Sequence, residues 1–257
     1  MDRLSDQFPS EATERKAECP EHGPYLSARI IGKVWSRCPE CQAALVRAEE
    51  AELSRKAAEN AEARHRGMIA AACIPARFVG RTFDNFAAST DAQRHALTMA
   101  REFAESFAEN ARKGAGMIFA GKPGTGKSHL AAAILQSVLS PSVRYLTCMD
   151  LIRAVRETWR KDAEKSESQV LRYLEELDLL VIDEVGMQYG TDGEQTILFD
   201  VLDRRYREVK PIVILTNQDK AGFKGFVGDR TFDRLSETAR WVPFDWESYR
   251  PTARKAA

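Results

Sequence analysis

Residues 121–128 read GKPGTGKS, between the apolar run MIFAG at 117–121 and the helix-forming run KSHLAAAILQSVL at 127–139. A glycine-rich turn between a strand and a helix lets backbone N–H groups converge on an anion, and the helix amino terminus adds positive partial charge. The string also matches the GxxxxGK[ST] pattern, whose lysine contacts nucleotide phosphates and whose hydroxyl binds magnesium. A chance glycine-rich turn is the alternative. The predicted phosphate-binding residues are Gly121, Lys122, Pro123, Gly124, Thr125, Gly126, Lys127, Ser128 and His129.

Short apolar runs alternate with helix-forming stretches over the remainder of the chain. The runs are MIFAG at 117–121, SVRYLTC at 142–148, LLVI at 179–182, PIVILTN at 211–217 and WVPFD at 241–245. Alternation of this kind predicts an α/β fold, in which a parallel sheet carries helices on both faces. LLVI and IVIL are apolar at every position, which is typical of strands buried at the centre of such a sheet.

An acidic pair, Asp183 and Glu184, follows the buried strand LLVI. Ligands bind at the carboxyl ends of parallel strands, so this pair is expected beside the phosphate-binding loop. Asp183 is predicted to hold magnesium together with Ser128, and Glu184 to orient and deprotonate an attacking water. The presence of both Lys127 and Glu184 favours hydrolysis over nucleotide storage. The alternative is that the acidic pair only ends a strand.

Composition limits the possible partners and the location of the chain. The 257 residues include 38 Lys and Arg and 38 Asp and Glu, so attraction to nucleic acid has to come from a local basic patch. No apolar run approaches the roughly 18 residues that span a bilayer, and the opening is too polar and acidic for a signal peptide. We therefore predict a cytoplasmic protein that has no membrane partner.

Three of the five cysteines lie near the amino terminus, in the pattern Cys19-x2-His22 and Cys38-x2-Cys41. Two such pairs separated by fifteen residues are close to the spacing of a zinc site. Four protein ligands close the coordination sphere, so the predicted zinc would be structural and would fold a segment that has no core. Chance clustering is the alternative. The other two cysteines, Cys73 and Cys148, are predicted to be packing thiols.

A long helix is predicted from Gln42 to about Ala72, because this stretch is rich in Ala, Glu, Arg and Lys and contains no proline. Its apolar stripe is thin, so the helix either connects two units in solvent or lies against a partner. The predicted domains are a zinc module at 1–41, a helical linker or docking helix at 42–74 and an ATPase domain at 75–257.

Four segments together resemble the DnaC-type helicase loaders, which are AAA+ ATPases: GKPGTGKSHLAAAIL at 121–135, LLVIDEVG at 179–186, ILTN at 214–217 and GDRTFDRLSETARWVPFDWESYR at 228–250. The resemblance covers about 75–250. It implies a P-loop AAA+ sheet, ATP and magnesium as cofactors, and ATP hydrolysis stimulated by assembly or by DNA. Only 12 residues follow Asp245, so no carboxyl-terminal lid domain is expected.

The resemblance also assigns roles to three polar residues. Asn217 would be a sensor that holds the lytic water or the γ-phosphate, although a strand terminus is an equal alternative. Arg234, or Arg230 nearby, would reach the ATP of a neighbouring subunit. The alternative for Arg234 is a surface ion pair with Asp229 or Asp233. Arg250 is the candidate for a second sensor.

The segment DLIRAVRETWRKD at 150–162 corresponds to the helix that faces single-stranded DNA in these loaders. Its arginines are spaced by three and four residues and so share one helical face beside a tryptophan, a combination that suits phosphates and unpaired bases. The alternative is that Ile152, Val155 and Trp159 form a buried face and the arginines are solvated. The candidate DNA contacts are Arg153, Arg156, Trp159 and Arg160.

The function implied by the resemblance is that of an ATP-dependent loader, which binds a replicative hexameric helicase, self-associates through its ATPase domain and places the helicase on single-stranded DNA. An IstB-type transposition helper, acting on duplex target DNA, is the first alternative. A second alternative is a zinc adaptor that binds ATP for stability only. Glu184 and Asn217 argue against that adaptor.

Overall fold

The computed structural model describes residues 13–138, 140, 142–187 and 192–249. The chain divides into two compact units, Met1–Arg64 and His65–Ala257. Within the described residues, none of the helices combines the length and the apolar character that crossing a membrane would require.

The first unit contains a small antiparallel sheet and the beginning of the long helix. The strands are β1 (Glu14–Cys19), β2 (Gly23–Ile31) and β3 (Val34–Trp35), in the order β1-β2-β3. Helix α1 (Pro39–Ala71) starts three residues before the predicted Gln42, because proline is favoured in the first turn of a helix. Helix α1 contains no buried residue.

The second unit is the predicted α/β domain, with a five-stranded sheet in the order β5-β6-β7-β4-β8 in which every neighbouring pair is parallel. The apolar strands β6 and β7 are interior strands, as predicted. The strands are β4 (Gly116–Gly121), β5 (Val143–Thr147), β6 (Leu179–Val185), β7 (Ile212–Thr216) and β8 (Ala239–Phe244). The helices are α2 (Asp91–Glu105), α3 (Phe107–Lys113), α4 (Lys127–Ser137), α5 (Cys148–Glu157), α6 (Glu167–Glu176), α7 (Asp192–Arg207), α8 (Lys220–Val227) and α9 (Asp229–Thr238), with a 3-10 turn at Ala76–Phe78.

Successive residues of each strand point to opposite faces of the sheet, and each face has its own hydrophobic core. Val181 of β6 belongs to the core that includes residues of α2 and α4. Leu180 and Ile182 belong to the other core, which includes residues of α5, α6, α7 and α9. Asp183 is two residues after Val181 on the same strand. Its side chain therefore points to the same face of the sheet, which is the face that α4 covers.

The chain continues beyond β8. From Asp245 to Tyr249, the last residue described, it contains no helix. These five residues, which we call the C-terminal strap, return to the carboxyl edge of the sheet, where the phosphate-binding loop lies.

Candidate nucleotide-binding site

Two glycines give the loop at 121–128 its shape. Gly124 and Gly126 have φ angles of 79° and 99°, in the left-handed region that favours glycine. A Cβ atom on Gly126 would lie 2.6 Å from Cε2 of Phe86, a ring that covers the loop. No larger residue fits there without moving that ring. Helix α4 begins at the next residue, so its positive end lies at the loop, as predicted from the sequence.

The carbonyl groups of the loop are held by side chains of the loop itself. The ammonium of Lys127 donates to the carbonyls of Gly121 and Lys122 at 2.6 and 2.7 Å, and the hydroxyl of Thr125 donates to that of Lys122 at 2.8 Å. Lys127 is only 7% exposed. A loop whose carbonyls are held in this way can present successive N–H groups to an anion.

The C-terminal strap holds two more carbonyls of the loop. The indole N–H of Trp246 donates to the carbonyl of Thr125 at 3.0 Å, and the backbone N–H of Tyr249 donates to that of Gly124 at 2.9 Å. Lys122 forms an ion pair with Glu247 at 3.3 Å. These contacts cannot be predicted from the sequence, because they join residues about 120 positions apart and leave no local pattern.

Asp183 lies beside the loop, as the sequence predicts. The hydroxyl of Ser128 donates to its Oδ2 at 2.9 Å, and the backbone N–H of Glu184 donates to its Oδ1 at 2.7 Å. A serine hydroxyl and a carboxylate supply hard oxygen ligands, which are the kind that magnesium prefers. The donor set therefore fits a magnesium ion that also contacts nucleotide phosphates.

Glu184 occupies an irregular position at the end of β6. The register against β7 shifts between Ile182 and Val185, which leaves an extra residue on β6. Glu184 has a φ of 61°, which is unfavourable for a residue with a side chain and typical of functional positions. Its side chain is exposed at the carboxyl edge of the sheet, next to Asp183.

Asn217 directly follows β7, and β7 lies between β6 and β4. The residue is half-buried, and its amide donates to the sulfur of Met187 at 3.5 Å. The preceding Thr216 donates to the carbonyl of Val185 at 2.7 Å, which ties the end of β7 to the end of β6. Asn217 thus lies at the edge between the acidic pair and the phosphate-binding loop.

Arg234 is engaged within its own chain. It forms an ion pair with Asp203 of α7, and its guanidinium carbon lies 5.2 Å from the ring of Tyr206. The alternative that pairs Arg234 with Asp229 or Asp233 names the wrong partner, because α9 packs against α7 and Arg234 pairs with a carboxylate of that helix. Arg230 is exposed and stacks over Phe199 at 5.8 Å.

Two other predicted cofactor contacts have different outcomes. The Nε2 atom of His129 lies 2.8 Å from the carbonyl of Thr82, and its ring packs edge-on against Phe86 at 5.2 Å. Burial lowers the pKa of His129, which favours a neutral packing ring. The side chain of His129 therefore contacts the segment at 82–86. Arg250 lies outside the described residues.

The predicted DNA helix is shorter than expected. Helix α5 ends at Glu157, because the N–H groups of the next three residues bond to carbonyls three positions earlier and form a tighter turn. Trp159 and Arg160 follow the helix, so the idea that Arg160 shares a helical face with Arg153 and Arg156 is wrong.

The outer surface here exposes the three predicted arginines. Ile152 and Val155 are buried as the alternative predicted, but Trp159 is 59% exposed and is not part of that buried face. Its indole N–H donates to Glu167 at 2.6 Å. The arginines pair with carboxylates: Arg153 with Asp150 at 3.6 Å, Arg156 with Glu194 at 3.5 Å and Arg160 with Asp162 at 3.1 Å.

The four predicted zinc ligands form one cluster in the first unit. Their ligand atoms all lie within 4.8 Å of one another, and four of the separations are between 3.4 and 3.7 Å. Zinc–sulfur and zinc–nitrogen bonds of about 2.3 and 2.1 Å place tetrahedral ligands about 3.6–3.8 Å apart. Cys19, His22, Cys38 and Cys41 therefore fit a tetrahedral zinc ion.

The charge state of the cluster also favours a cation. A hydrogen bond from the backbone N–H of Glu21, and others from His22, lower the pKa of the Cys19 thiol to about 6. The hydrogen bond with Cys19 raises the pKa of Cys41 to about 12, because a second thiolate is unfavourable beside the first. A metal cation would remove that repulsion, since it binds the thiolate forms.

One residue of the site was missed although the sequence carries a signal for it. Tyr145 of β5 donates its hydroxyl hydrogen bond to Oδ2 of Asp183. Tyr145 pairs with Val181 on β6, so the two side chains and that of Asp183 share a face. Strand alternation could have identified this contact once β5 had been placed beside β6.

Comparisons with known proteins agree with this geometry. The family described as IstB-like ATP binding protein matches residues 37–257. The replicative helicase loader DnaC of Escherichia coli K12 is 40% identical over 172 residues, which cover 66% of this chain and 69% of that protein. DnaC of Buchnera aphidicola from Acyrthosiphon pisum is 36% identical over 176 residues, 67% of this chain and 70% of the relative.

Solved structures show the same fold. The crystal structure of the DnaC helicase loader aligns with a TM-score of 0.59 and 24% identity, and the alignment covers 65% of this chain and 98% of that one. AMPPCP-bound DnaA from Aquifex aeolicus aligns with a TM-score of 0.55 and 20% identity, over 72% of this chain and 56% of that one.

Proposed function

Because the chain belongs to the IstB-like ATP binding proteins and is a relative of the DnaC-type helicase loaders, we propose that it is an ATP-dependent helicase loader. It binds a replicative hexameric helicase and places that ring on single-stranded DNA when replication begins. The observation that carries the proposal is the 40% identity to DnaC over 172 residues, which cover 66% of this chain and 69% of that protein.

Each residue of the site has a separate role in ATP hydrolysis. The loop amides and Lys127 hold the β- and γ-phosphates, and Ser128 and Asp183 would hold magnesium. Magnesium, when bound, neutralises charge on the transferring phosphoryl group. Glu184 holds the attacking water and takes its proton, and Asn217 orients that water or the γ-phosphate.

The arginine that completes the site is supplied by a neighbouring subunit. Arg234 exchanges its ion pair with Asp203 for the phosphates of the adjacent ATP, with Arg230 as the second candidate. The charge that stabilises the transferring phosphoryl group is then missing from an isolated subunit. Hydrolysis is therefore stimulated by self-association through the ATPase domain.

The amino-terminal region docks the helicase. Its parts are the zinc module at 1–41 and the helix at 42–74, which precede the ATPase domain at 75–257. The absence of buried residues from α1 supports the docking role, because the helix offers a long surface to a partner. The second candidate function is an IstB-type transposition helper on duplex DNA, which the family match over residues 37–257 favours.

DNA binding is expected at the exposed end of α5. Trp159→Ala should weaken single-stranded DNA binding about 5- to 150-fold, because a base stacked on an aromatic ring contributes about 1–3 kcal/mol. Arg153→Ala should reduce the slope of log affinity against log salt by about 0.7, the value for one phosphate contact. Fluorescence anisotropy with a labelled oligonucleotide, with ATP present and salt varied, measures both effects.

The matched control for the DNA experiment is Arg94→Ala. Arg94 pairs with Asp91 at a spacing of three, as Arg153 does with Asp150, but it lies on α2. It should change neither affinity nor slope. Salt-independent binding by the unmodified protein, or no binding with ATP, contradicts the role of this surface.

The proposed function is tested by loading itself. The full chain, ATP and the replicative helicase of the same cell are incubated with single-stranded DNA circles, and helicase retained on the circles is measured after gel filtration. We expect retention to require the full chain and ATP. The proposal fails if the chain neither co-elutes with the helicase nor increases retention. Selective binding of the chain to duplex DNA would favour the transposition helper instead.

A further inference from the structure

The Asp183 carboxylate is held by three donors. Oδ2 accepts hydrogen bonds from the Tyr145 hydroxyl and from the Ser128 hydroxyl, the latter at 2.9 Å. Oδ1 accepts the backbone N–H of Glu184 at 2.7 Å. Ser128 belongs to the phosphate-binding loop and Glu184 to the same strand as Asp183. Tyr145 is the donor that comes from the neighbouring strand.

The Tyr145 ring is itself firmly fixed. The residue is 3% exposed and belongs to the core on the α4 face of the sheet. Its ring lies 6.4 Å from that of Phe78, and its backbone N–H donates to the carbonyl of Ala72 at 2.7 Å. A buried tyrosine hydroxyl needs a polar partner, so the bond to Asp183 is favoured on both sides.

This arrangement has a known chemical use. Groups that hydrogen-bond a metal-binding carboxylate fix its orientation, and their removal typically costs 10- to 100-fold in metal affinity or activity. A carboxylate at the end of a strand can otherwise rotate about its side-chain bonds. The rigid ring of Tyr145 restricts that rotation at Oδ2, the oxygen next to Ser128.

We propose that Tyr145 is a positioning residue, which orients Asp183 for the magnesium that accompanies ATP. The inference rests on the proposed function, since it needs a magnesium nucleotide in the loop. Tyr145 acts through Asp183 and contacts the ion only indirectly. Its substitution should therefore change the requirement for magnesium and leave the affinity for the nucleotide alone unchanged.

The test is the magnesium dependence of Tyr145→Phe, which keeps the ring and removes the hydroxyl. Binding of a fluorescent ATP analogue is titrated with magnesium, and circular dichroism melting confirms that the variant is folded. We expect the half-saturating magnesium concentration to rise about 10-fold. Nucleotide affinity in EDTA should stay the same, and ATP hydrolysis should recover at high magnesium.

Tyr173→Phe is the matched control. Its hydroxyl accepts a hydrogen bond from Arg144, near the start of β5, at 2.6 Å, so a tyrosine hydroxyl that bonds to the same strand is lost without contact to Asp183. An unchanged or lower magnesium requirement in Tyr145→Phe overturns the inference. If magnesium has no effect on nucleotide binding by the unmodified protein, the proposed function fails as well. The result for the unmodified protein therefore distinguishes failure of the proposed function from failure of the Tyr145 inference alone.

Discussion

Replacing Lys127 with alanine is expected to lower ATP affinity about 10- to 150-fold, because hydrogen bonds to charged groups contribute about 1.5–3 kcal/mol. Hydrolysis should fall about 100- to 1000-fold, as when one preorganised donor is removed from a developing charge. The Lys127 ammonium is buried against the loop, where solvent does not replace it. Titration with a fluorescent nucleotide and a phosphate-release assay measure the two effects.

Two other variants separate the loss of nucleotide binding from the loss of hydrolysis. Lys113→Ala removes a lysine of α3 outside the loop; that side chain is 66% exposed and pairs with Glu109, so both measurements should stay near the unmodified values. Arg234→Ala should keep nucleotide affinity and lose the hydrolysis that depends on assembly. Full turnover by Lys127→Ala would contradict the assignment of the ATP site.

Substitution of Cys38 by serine is expected to unfold the first unit. Among its described residues, the buried ones are Cys19, Ser27 and Cys38, and two of these are proposed zinc ligands. A segment without a hydrophobic core depends on its metal, and structural zinc contributes about 10–16 kcal/mol in zinc-finger peptides. We expect about one zinc per chain in the unmodified protein. In the variant we expect loss of that zinc, rapid proteolysis before residue 65 and loss of helicase binding.

ATP hydrolysis by the second unit should not depend on whether the first unit is folded. ATP turnover by Cys38→Ser, measured without helicase, is expected to match that of the unmodified protein, because the nucleotide site lies entirely within the second unit. Cys73→Ser is the matched control and should retain zinc, since it removes a cysteine outside the cluster. Cys73 is exposed and accepts a hydrogen bond from Arg144, so the prediction of a packing thiol is wrong for this residue. Metal analysis that finds no zinc in the freshly purified protein would refute the prediction.

The sequence predicts those features that depend on local or periodic patterns. The buried runs of β6 and β7 require a sheet covered on both faces, and the strand, glycine turn and helix around Gly124 place the phosphate-binding loop. Parallel strands bring Asp183 to the same edge. The four predicted zinc ligands are close in sequence, and their spacing predicts that they form one cluster.

Contacts between distant side chains are not contained in those patterns. Asp229 and Asp233 are close to Arg234 in sequence, but the packing of α9 on α7 pairs Arg234 with Asp203. The end of α5 depends on a tight turn after Glu157, which a run of helix-forming residues does not reveal. Trp159 is exposed for the same reason, because the chain has left the helix before reaching it.

The C-terminal strap gives the protein a natural optical probe. The indole of Trp246 is bonded directly to the loop at Thr125, so its emission should respond when the loop closes around a ligand. Labels and affinity tags are therefore better attached at the amino end, since strain applied beyond Tyr249 would be transmitted to Gly124 and disturb both the signal and the site.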